Sequence, residues 1–432
     1  MTKKPWLMFL FMLSWLLSGT LQARLTIEVS GGTEGGTPIA LVPFGWASSE
    51  TEAPLDIASV ITADLSRVGR FVLLPDEDRL IDPTRPSEVN LRNWRALGQE
   101  ALVIGRLELS GVDQYTIHFQ LFDVFKGDIL ANETIRSNGV SLRHAAHKIS
   151  DIIYQKLTGE AGAFSTRIAY VMVSGGEGAE REFQLRVADA DGFNPKQIVK
   201  SKEPIMSPAW SPDGRELAYV SFESGQSAIF IQQLSSGSRD KVSHSPGING
   251  APAWSPDGRE LALTLSKGGS PDIYILNVLD RTLRQLTRSD SIDTEATWSP
   301  DGQTIVFTSN RGGKPQLYSI PVMGGVAARL TFDGDYNAGA EFSPTGEQLV
   351  LVHRNSGQFH IALHNVMTGS NQVLTDGQLD ESPTFAPNSS MILYATGGGE
   401  RGRLSAVSTN GRVHQKLRSD EGEVREPAWS PN

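Results

Sequence analysis

The 432-residue chain contains no cysteine. Disulfides, thiolate metal sites and a thiol nucleophile are excluded, so the fold must be held by burial and topology alone. Other signatures are missing as well. No Gly-x-Ser-x-Gly string marks a nucleophile elbow, no His-Glu-x-x-His a metalloprotease, and no Gly-x-x-x-x-Gly-Lys a phosphate-cradling loop. Positive charge is in short supply: 39 Lys and Arg stand against 49 Asp and Glu, a formal net charge of −10. An acidic chain lacks the basic face that nucleic acid or an anionic membrane requires as its main partner. The longest apolar run, Trp6 to Leu17, falls short of the roughly 20 residues needed to span a bilayer, so no direct membrane insertion is expected.

That run has another meaning. Lys3 and Lys4 precede it and the small residues Ser18 to Ala23 follow, which reads as a secretory signal peptide over 1–23 with cleavage after Ala23. Because it carries two lysines and no acid, its removal takes the net charge from −10 to −12. The mature chain then begins with a short alternating strand (Leu25, Ile27 and Val29 apolar) and a glycine-rich hinge, together 24–36.

Residues 37–162 do not repeat. Ile39 to Pro43, Phe71 to Leu74, Ala101 to Leu107 and Tyr115 to Val124 read as strands. Ile57, Ile61 and Leu65 recur at helical spacing between Asp56 and Gly69, and His144 to Leu157 makes a second helix ending at Gly159. Strands alternating with helices imply a small α/β domain. His144 and His147, three apart on the second helix with no third ligand in view, read as solvated surface.

The remainder, 165–432, is periodic. Trp210, Trp254, Trp298, Phe342, Phe385 and Trp429 each precede a small residue and a proline, at spacings of 44, 44, 44, 43 and 44. Each interval holds four short strands, the content of one β-propeller blade. Three motifs continue into Asp-Gly (213–214, 257–258, 301–302), a hairpin signal because both residues tolerate positive φ. Thr345-Gly346 and Asn388-Ser389 replace that pair later, where looser turns are expected. The first strand set, from Ile168, lacks an inner strand and the last inner strand, at Trp429, lacks a blade. Pairing them predicts a two-domain protein: a small N-terminal α/β domain, then a six-bladed β-propeller closed by the C-terminal strand.

In such a ring the loops entering the inner strands gather on one face. Here they carry Ser207, Pro208, Asn249, Gly250, Asp293, Thr294, Glu295, Glu341, Asp380, Glu381 and Glu426. Carboxylates converging on one face form a cation-attracting funnel or the acidic half of a protein interface, unless each merely caps its own loop. An interface is expected, with Ca2+ in the channel possible because all the ligands would be oxygen; no metal site is firmly specified. The six aromatics, in one register within strands, read as packing between neighbouring sheets rather than as a ligand cage.

The strings Leu41-Val42-Pro43-Phe44, Leu157-Thr158-Gly159, Met206 to Gly214, Asn249-Gly250-Ala251-Pro252 and Pro427 to Pro431 resemble the TolB family of the bacterial Tol–Pal system, along the whole mature chain. That resemblance implies a non-enzymatic periplasmic adaptor, a monomer, which supports outer-membrane integrity and envelope constriction at cell division. It implies binding of the lipoprotein Pal across the propeller mouth, through Ser207, Pro208, Asn249, Gly250, Thr294 and Glu295 with Asp380, Glu381 and Glu426 beside them. It also implies binding of TolA through the segment of Arg24, Leu25, Thr26, Ile27, Glu28 and Val29; other outer-membrane proteins and bacteriocins are further possible partners. Family members often carry histidine before the Asn-Gly-Ala-Pro string, where this chain has Ile248. The N-terminal strand is expected to dock on its own domain or be released as a switch. The alternative reading is a periplasmic propeller enzyme or small-ligand sensor using the central channel.

Overall fold

A computed structural model describes residues 26–30, 35–47, 52–175, 181–397, 402–418 and 422–432. The expected signal peptide, Arg24, Leu25 and residues 31–34 of the expected hinge lie outside them. The N-terminal part runs β1 (Thr26–Ser30), β2 (Thr37–Leu41), β3 (Gly45–Trp46), α1 (Ile57–Arg67), β4 (Phe71–Leu73), α2 (Leu91–Ala96), β5 (Ala101–Gly111), β6 (Gln114–Asp123), β7 (Ile129–Asn138) and α3 (Leu142–Thr158). One mixed sheet, in the order β4-β2-β5-β6-β7, carries it: β2 is parallel to both neighbours, and β5, β6 and β7 form an antiparallel meander. Alternation along β2 and β5 sends Ile39, Leu41, Ala101 and Val103 towards α1 and α3, and Ala40, Leu102 and Ile104 towards Trp94 of α2. Asp56 caps α1 by accepting the Ser59 N–H at 3.0 Å, and Gly159, with φ +81°, ends α3.

From Arg167 onwards the described chain is strand after strand. Four sets of four strands form separate sheets. One of them joins the last strand, Glu423–Trp429, antiparallel to Arg167–Ser174. Two further sets, Tyr336 to Val373 and Leu379 to Arg418, meet through the single bridge between Phe359 and Leu379.

Three expectations need correction. First, β1 does not dock on its own domain: it pairs antiparallel with His414–Arg418, the outer strand of the last complete set. The reason lies in packing, since Ile27 covers a core with Leu417 and Val424, and Gln415 on the receiving strand donates to the Arg67 carbonyl at 2.7 Å where α1 ends. Second, in the Asp-Gly turns only the glycine has positive φ: Gly214 at +67°, Gly258 at +71° and Gly302 at +69°. Asp213, Asp257 and Asp301 instead accept the hydroxyl of the serine two residues earlier, at 2.5–2.7 Å. These are longer, side-chain-braced turns rather than two-residue ones. Third, the two variant turns are no looser. Gly346 N–H reaches Ser343 O at 2.8 Å and Ser389 N–H reaches Ala386 O at 2.8 Å, matching the 2.9 Å bond from Gly214 to Ser211; Ser389 itself takes the left-handed conformation, φ +59°.

Candidate functional site: the mouth of the propeller

The six inner strands share a feature that no residue type announces. Three positions before each motif aromatic the backbone turns left-handed: Ser207 (φ +50°), Ala251 (+44°), Glu295 (+54°), Gly339 (+60°), Ser382 (+52°) and Glu426 (+47°). The pairing register slips at each of these positions. Each inner strand therefore carries a β-bulge, which re-aims the residues around it. Five of the six are not glycine, so the conformation is held against a local cost by its surroundings.

Some of those surroundings are carboxylates reaching across between strand sets. Glu295 accepts the Gly339 N–H at 2.9 Å, and Glu341 accepts the Phe385 N–H at 2.9 Å and the Thr384 hydroxyl at 3.2 Å. Glu426 accepts the Ser207 N–H. Burial pushes Glu341 up to about 7 against those two bonds. Burial also raises Glu426, opposed by its Ser207 bond and reinforced by Glu381. These acids brace neighbouring strand sets as well as charging them.

The motif tryptophans add a parallel set of struts. Trp254 donates its indole N–H to Ala209 O at 3.2 Å, Trp298 to Ala253 O at 3.0 Å and Trp210 to Ala428 O at 3.0 Å. With Phe342 and Phe385 they line a central cavity of about 910 Å³, into which Glu295, Glu341, Glu381 and Glu426 also face.

Glu341 gives a pH dependence with a definite sign. A carboxyl raised from 4.5 to about 7 contributes stability that is present below pH 4.5 and lost as pH rises through 7. Glu341→Gln keeps an acceptor and removes the titration. Its melting temperature at pH 8 is expected to exceed that of the parent, by roughly 2–3 kcal/mol in stability, with the advantage gone near pH 4.5. Parallel pH–melting curves for the two proteins would contradict this.

The residues singled out from sequence divide into two groups. Ile205, Asn249, Asp293, Asn337, Asp380 and Val424 stand five residues before the motif aromatic, first or second in their inner strands, and are at most 1 % exposed. The polar ones cap loops. Asn249 accepts from Ser243 and Ser245 at 2.8 and 2.9 Å and donates to Ser245 O at 2.7 Å. Asp293 holds Ser309 and Arg311 at 2.6 and 2.7 Å, and Asp380 accepts from Thr375 at 2.6 Å. Asn249 and Asp380 are thus buried loop caps rather than the expected surface residues; the Asn249 amide is satisfied internally, whereas Asp380 bonds through Oδ2 and leaves Oδ1 buried without a partner. Pro208 is buried too, whereas Ser207, Gly250, Thr294, Glu295, Glu381 and Glu426 retain exposure.

Sequence reasoning noted Ile248 only as a departure from the family string, and missed the other apolar residues beside them. Ile248, Ile292 and Leu379, each immediately before a buried cap, are 51 %, 49 % and 40 % exposed. Ile248 also borders a recess of about 420 Å³ with Met206, Val220 and Phe222. The available signal was their shared place in the repeat, one residue ahead of the cap. His147 is a second miss: it is buried rather than solvated, while His144 is exposed. Among the described residues, Asp64, His147 and Asp191 form the one group whose potential metal-ligand atoms lie within 4.8 Å of one another. Arg67 and Arg143 already pair with those two carboxylates, so the group is an ion-pair cluster.

Residues 154–432 match the model of the TolB beta propeller domain and residues 25–130 that of the TolB amino-terminal domain. The chain belongs to the TolB family. It is 61 % identical to the Tol-Pal system protein TolB of Nitrosococcus oceani over 98 % of this chain and 97 % of that one. To the protein of the same name from Xanthomonas oryzae pv. oryzae it is 51 % identical over 99 % of each chain. The crystal structure of TolB from Acinetobacter baumannii superposes with a TM-score of 0.86 at 40 % identity, covering 95 % of this chain and all of that one. The family thus has the two domains described above, and the chain is a non-enzymatic component of the Tol–Pal system.

Proposed function

We propose that this TolB-family chain is the periplasmic adaptor that links the outer-membrane lipoprotein Pal to inner-membrane TolA, maintaining outer-membrane integrity and supporting constriction at division. In this reading the six strand sets are six blades, Glu423–Trp429 completes the blade begun by Arg167–Ser174, Pal binds across the mouth, and β1 is the segment taken by TolA. The observation that carries it is the mouth itself. Behind a repeated bulge, the accessible residues Ser207, Gly250, Thr294, Glu295, Glu381 and Glu426 differ from blade to blade, and exposed Ile248, Ile292 and Leu379 stand among them. Apolar anchors inside a charged rim suit a protein partner better than a small substrate.

β1 fits the switch because its pairing is with a sheet edge, which another strand can take over. Pal at the mouth then favours the docked state and hides the TolA epitope, so TolA must bind the Pal-loaded protein more weakly. A calcium ion among the channel carboxylates belongs to the same proposal, and added Ca2+ should raise the melting temperature.

Binding of purified Pal, measured by calorimetry, tests the reading. Thr294→Ile places a larger apolar group where Thr294 meets Thr264 at 3.2 Å. It is expected to weaken Pal binding by at least about tenfold, or 1.4 kcal/mol, with the melting temperature little changed. Equal affinity of parent and variant, or no binding by the parent, would remove the proposed site.

A further inference from the structure

Where the α/β domain meets the propeller, three carboxylates and two guanidiniums surround one buried imidazole. Asp64 and Arg67 come from α1, and Arg143 and His147 from α3. Asp189 and Asp191 come from the propeller, at the end of strand Glu182–Asp189 and in the turn after it. Asp64 accepts from His147 Nδ1–H and from the Ser150 hydroxyl, each at 2.7 Å, and pairs with Arg67 at 3.1 Å. Arg143 contacts Asp191, approaches Asp189 to 4.0 Å and lies over the Phe193 ring at 4.1 Å.

His147 Nε2 is the odd atom. It is buried, has no hydrogen-bond partner, and stands 3.8 Å from Asp191 Oδ2. With Nδ1–H committed to Asp64, a neutral ring must present the Nε2 lone pair to a carboxylate, acceptor against acceptor. A proton on Nε2 converts that opposition into a charge-assisted N–H···O contact. It also makes the cluster three against three in charge. A divalent ion would instead add two charges and displace Arg143 from Asp191, so a proton suits the cluster better. Beyond the contacting groups, His144 and Asp151 on α3 interact with His147 and Asp64, Arg167 and Lys196 on the propeller interact with Asp189, and Lys148 acts on His144.

We infer that His147 is a proton-operated latch between the two domains: protonated, it bridges Asp64 of the α/β domain to Asp191 of the propeller; neutral, it leaves Arg143 as the cluster's ion-pair link across the junction. An interface between domains of one chain moves unless its contacts are extensive. The latch also has somewhere to act. Arg67, paired with Asp64, accepts through its carbonyl from Gln415 on the strand that holds β1. This goes beyond the adaptor reading and does not need it, since the cluster lies away from the mouth.

The chain has no cysteine, so Glu133→Cys and Leu279→Cys, both at exposed positions, accept one spin label on each domain of the mature protein. Double electron–electron resonance is expected to give one narrow distance at about pH 5.5 and a broadened distribution at about pH 8, the displaced population rising severalfold. His147→Gln and, separately, Asp191→Asn should abolish the pH response; Asp191→Asn changes a propeller side chain and, unlike His147→Gln, keeps the bond between His147 and Asp64 while weakening the Arg143 pair. A distribution in the parent that does not change with pH overturns the latch. So does a variant that keeps the parental response. Narrowing at pH 8 on adding zinc alone to chelator-treated protein also overturns it and assigns a metal site instead.

Discussion

Removing residues 425–432 will lower the melting temperature more than any single substitution within the repeats. Their strand runs antiparallel to Arg167–Ser174, with Arg425 opposite Val171 and Trp429 opposite Ile168. The junction is fastened beyond the ladder: Arg167 donates to Ser430 Oγ at 2.9 Å, Ser430 N–H returns to Arg167 O at 2.8 Å, and the Trp429 indole donates to Thr166 Oγ1 at 2.8 Å. On the neighbouring side, Ala428 O receives the Trp210 indole. Loss of the segment therefore exposes an edge of one strand set and unfastens the next, and an uncovered strand edge is open to edge pairing. Trp429→Ala alone should cost about 2–4 kcal/mol, since Trp429 is only half-buried and full burial is worth more. Thermal melts by circular dichroism read both variants, with light scattering to detect edge-driven association. A truncated chain that melts with the parent would show that this strand is no clasp.

Asp293→Ala will be the most damaging change at the mouth, although Asp293 is not offered as a partner contact. The side chain is fully buried, holding the Ser309 hydroxyl at 2.6 Å and Arg311 at 2.7 Å. Arg311 in turn lies over the rings of Phe307 and Tyr318 at 5.2 and 5.0 Å. Removing the carboxylate leaves a part-buried guanidinium without its partner, a loss of about 3–5 kcal/mol when both charges are buried and less here. Asp293→Asn, of the same shape, should cost about half as much, because it can still accept one of the two bonds. Chemical denaturation at neutral pH gives both values. Thr294 and Glu295 follow Asp293 directly, so Asp293→Ala should weaken Pal binding and stability together, whereas Thr294→Ile should weaken binding alone. If Asp293→Ala proves as stable as its parent, the capping role assigned to the buried position is wrong.

How much of this could be read from the sequence depends on whether the cause is local. Asp56 and Gly69 mark the two ends of α1 because capping and positive φ are short-range requirements. The 44-residue interval marks the strand sets because the same packing problem recurs in each. β7 escaped notice since its residues, ILANETIRSN, lack clean alternation, and α2 is shorter than two turns. The bulges were invisible for another reason. Ser207, Ala251, Glu295, Ser382 and Glu426 have no common preference for positive φ, and neighbouring strands impose it. Ile27 showed that β1 has an apolar side but not which surface would receive it.

The amino-acid order by itself determined the two-domain division, the repeat and its register, the aromatic packing positions, and the absence of thiol chemistry, since each follows from residue type and spacing along one stretch of chain. Only the tertiary structure decided which mouth residues are caps and which are free, that β1 lies on the propeller, and that His147 is sealed between Asp64 and Asp191. Those outcomes depend on groups far apart in sequence. Asp64 and His147 are 83 residues apart, and the Arg67 carbonyl and Gln415 are 348 apart. Burial, which turns a surface acid into a strut or a histidine into a latch, is a property of the neighbours that folding brings and not of the residue itself.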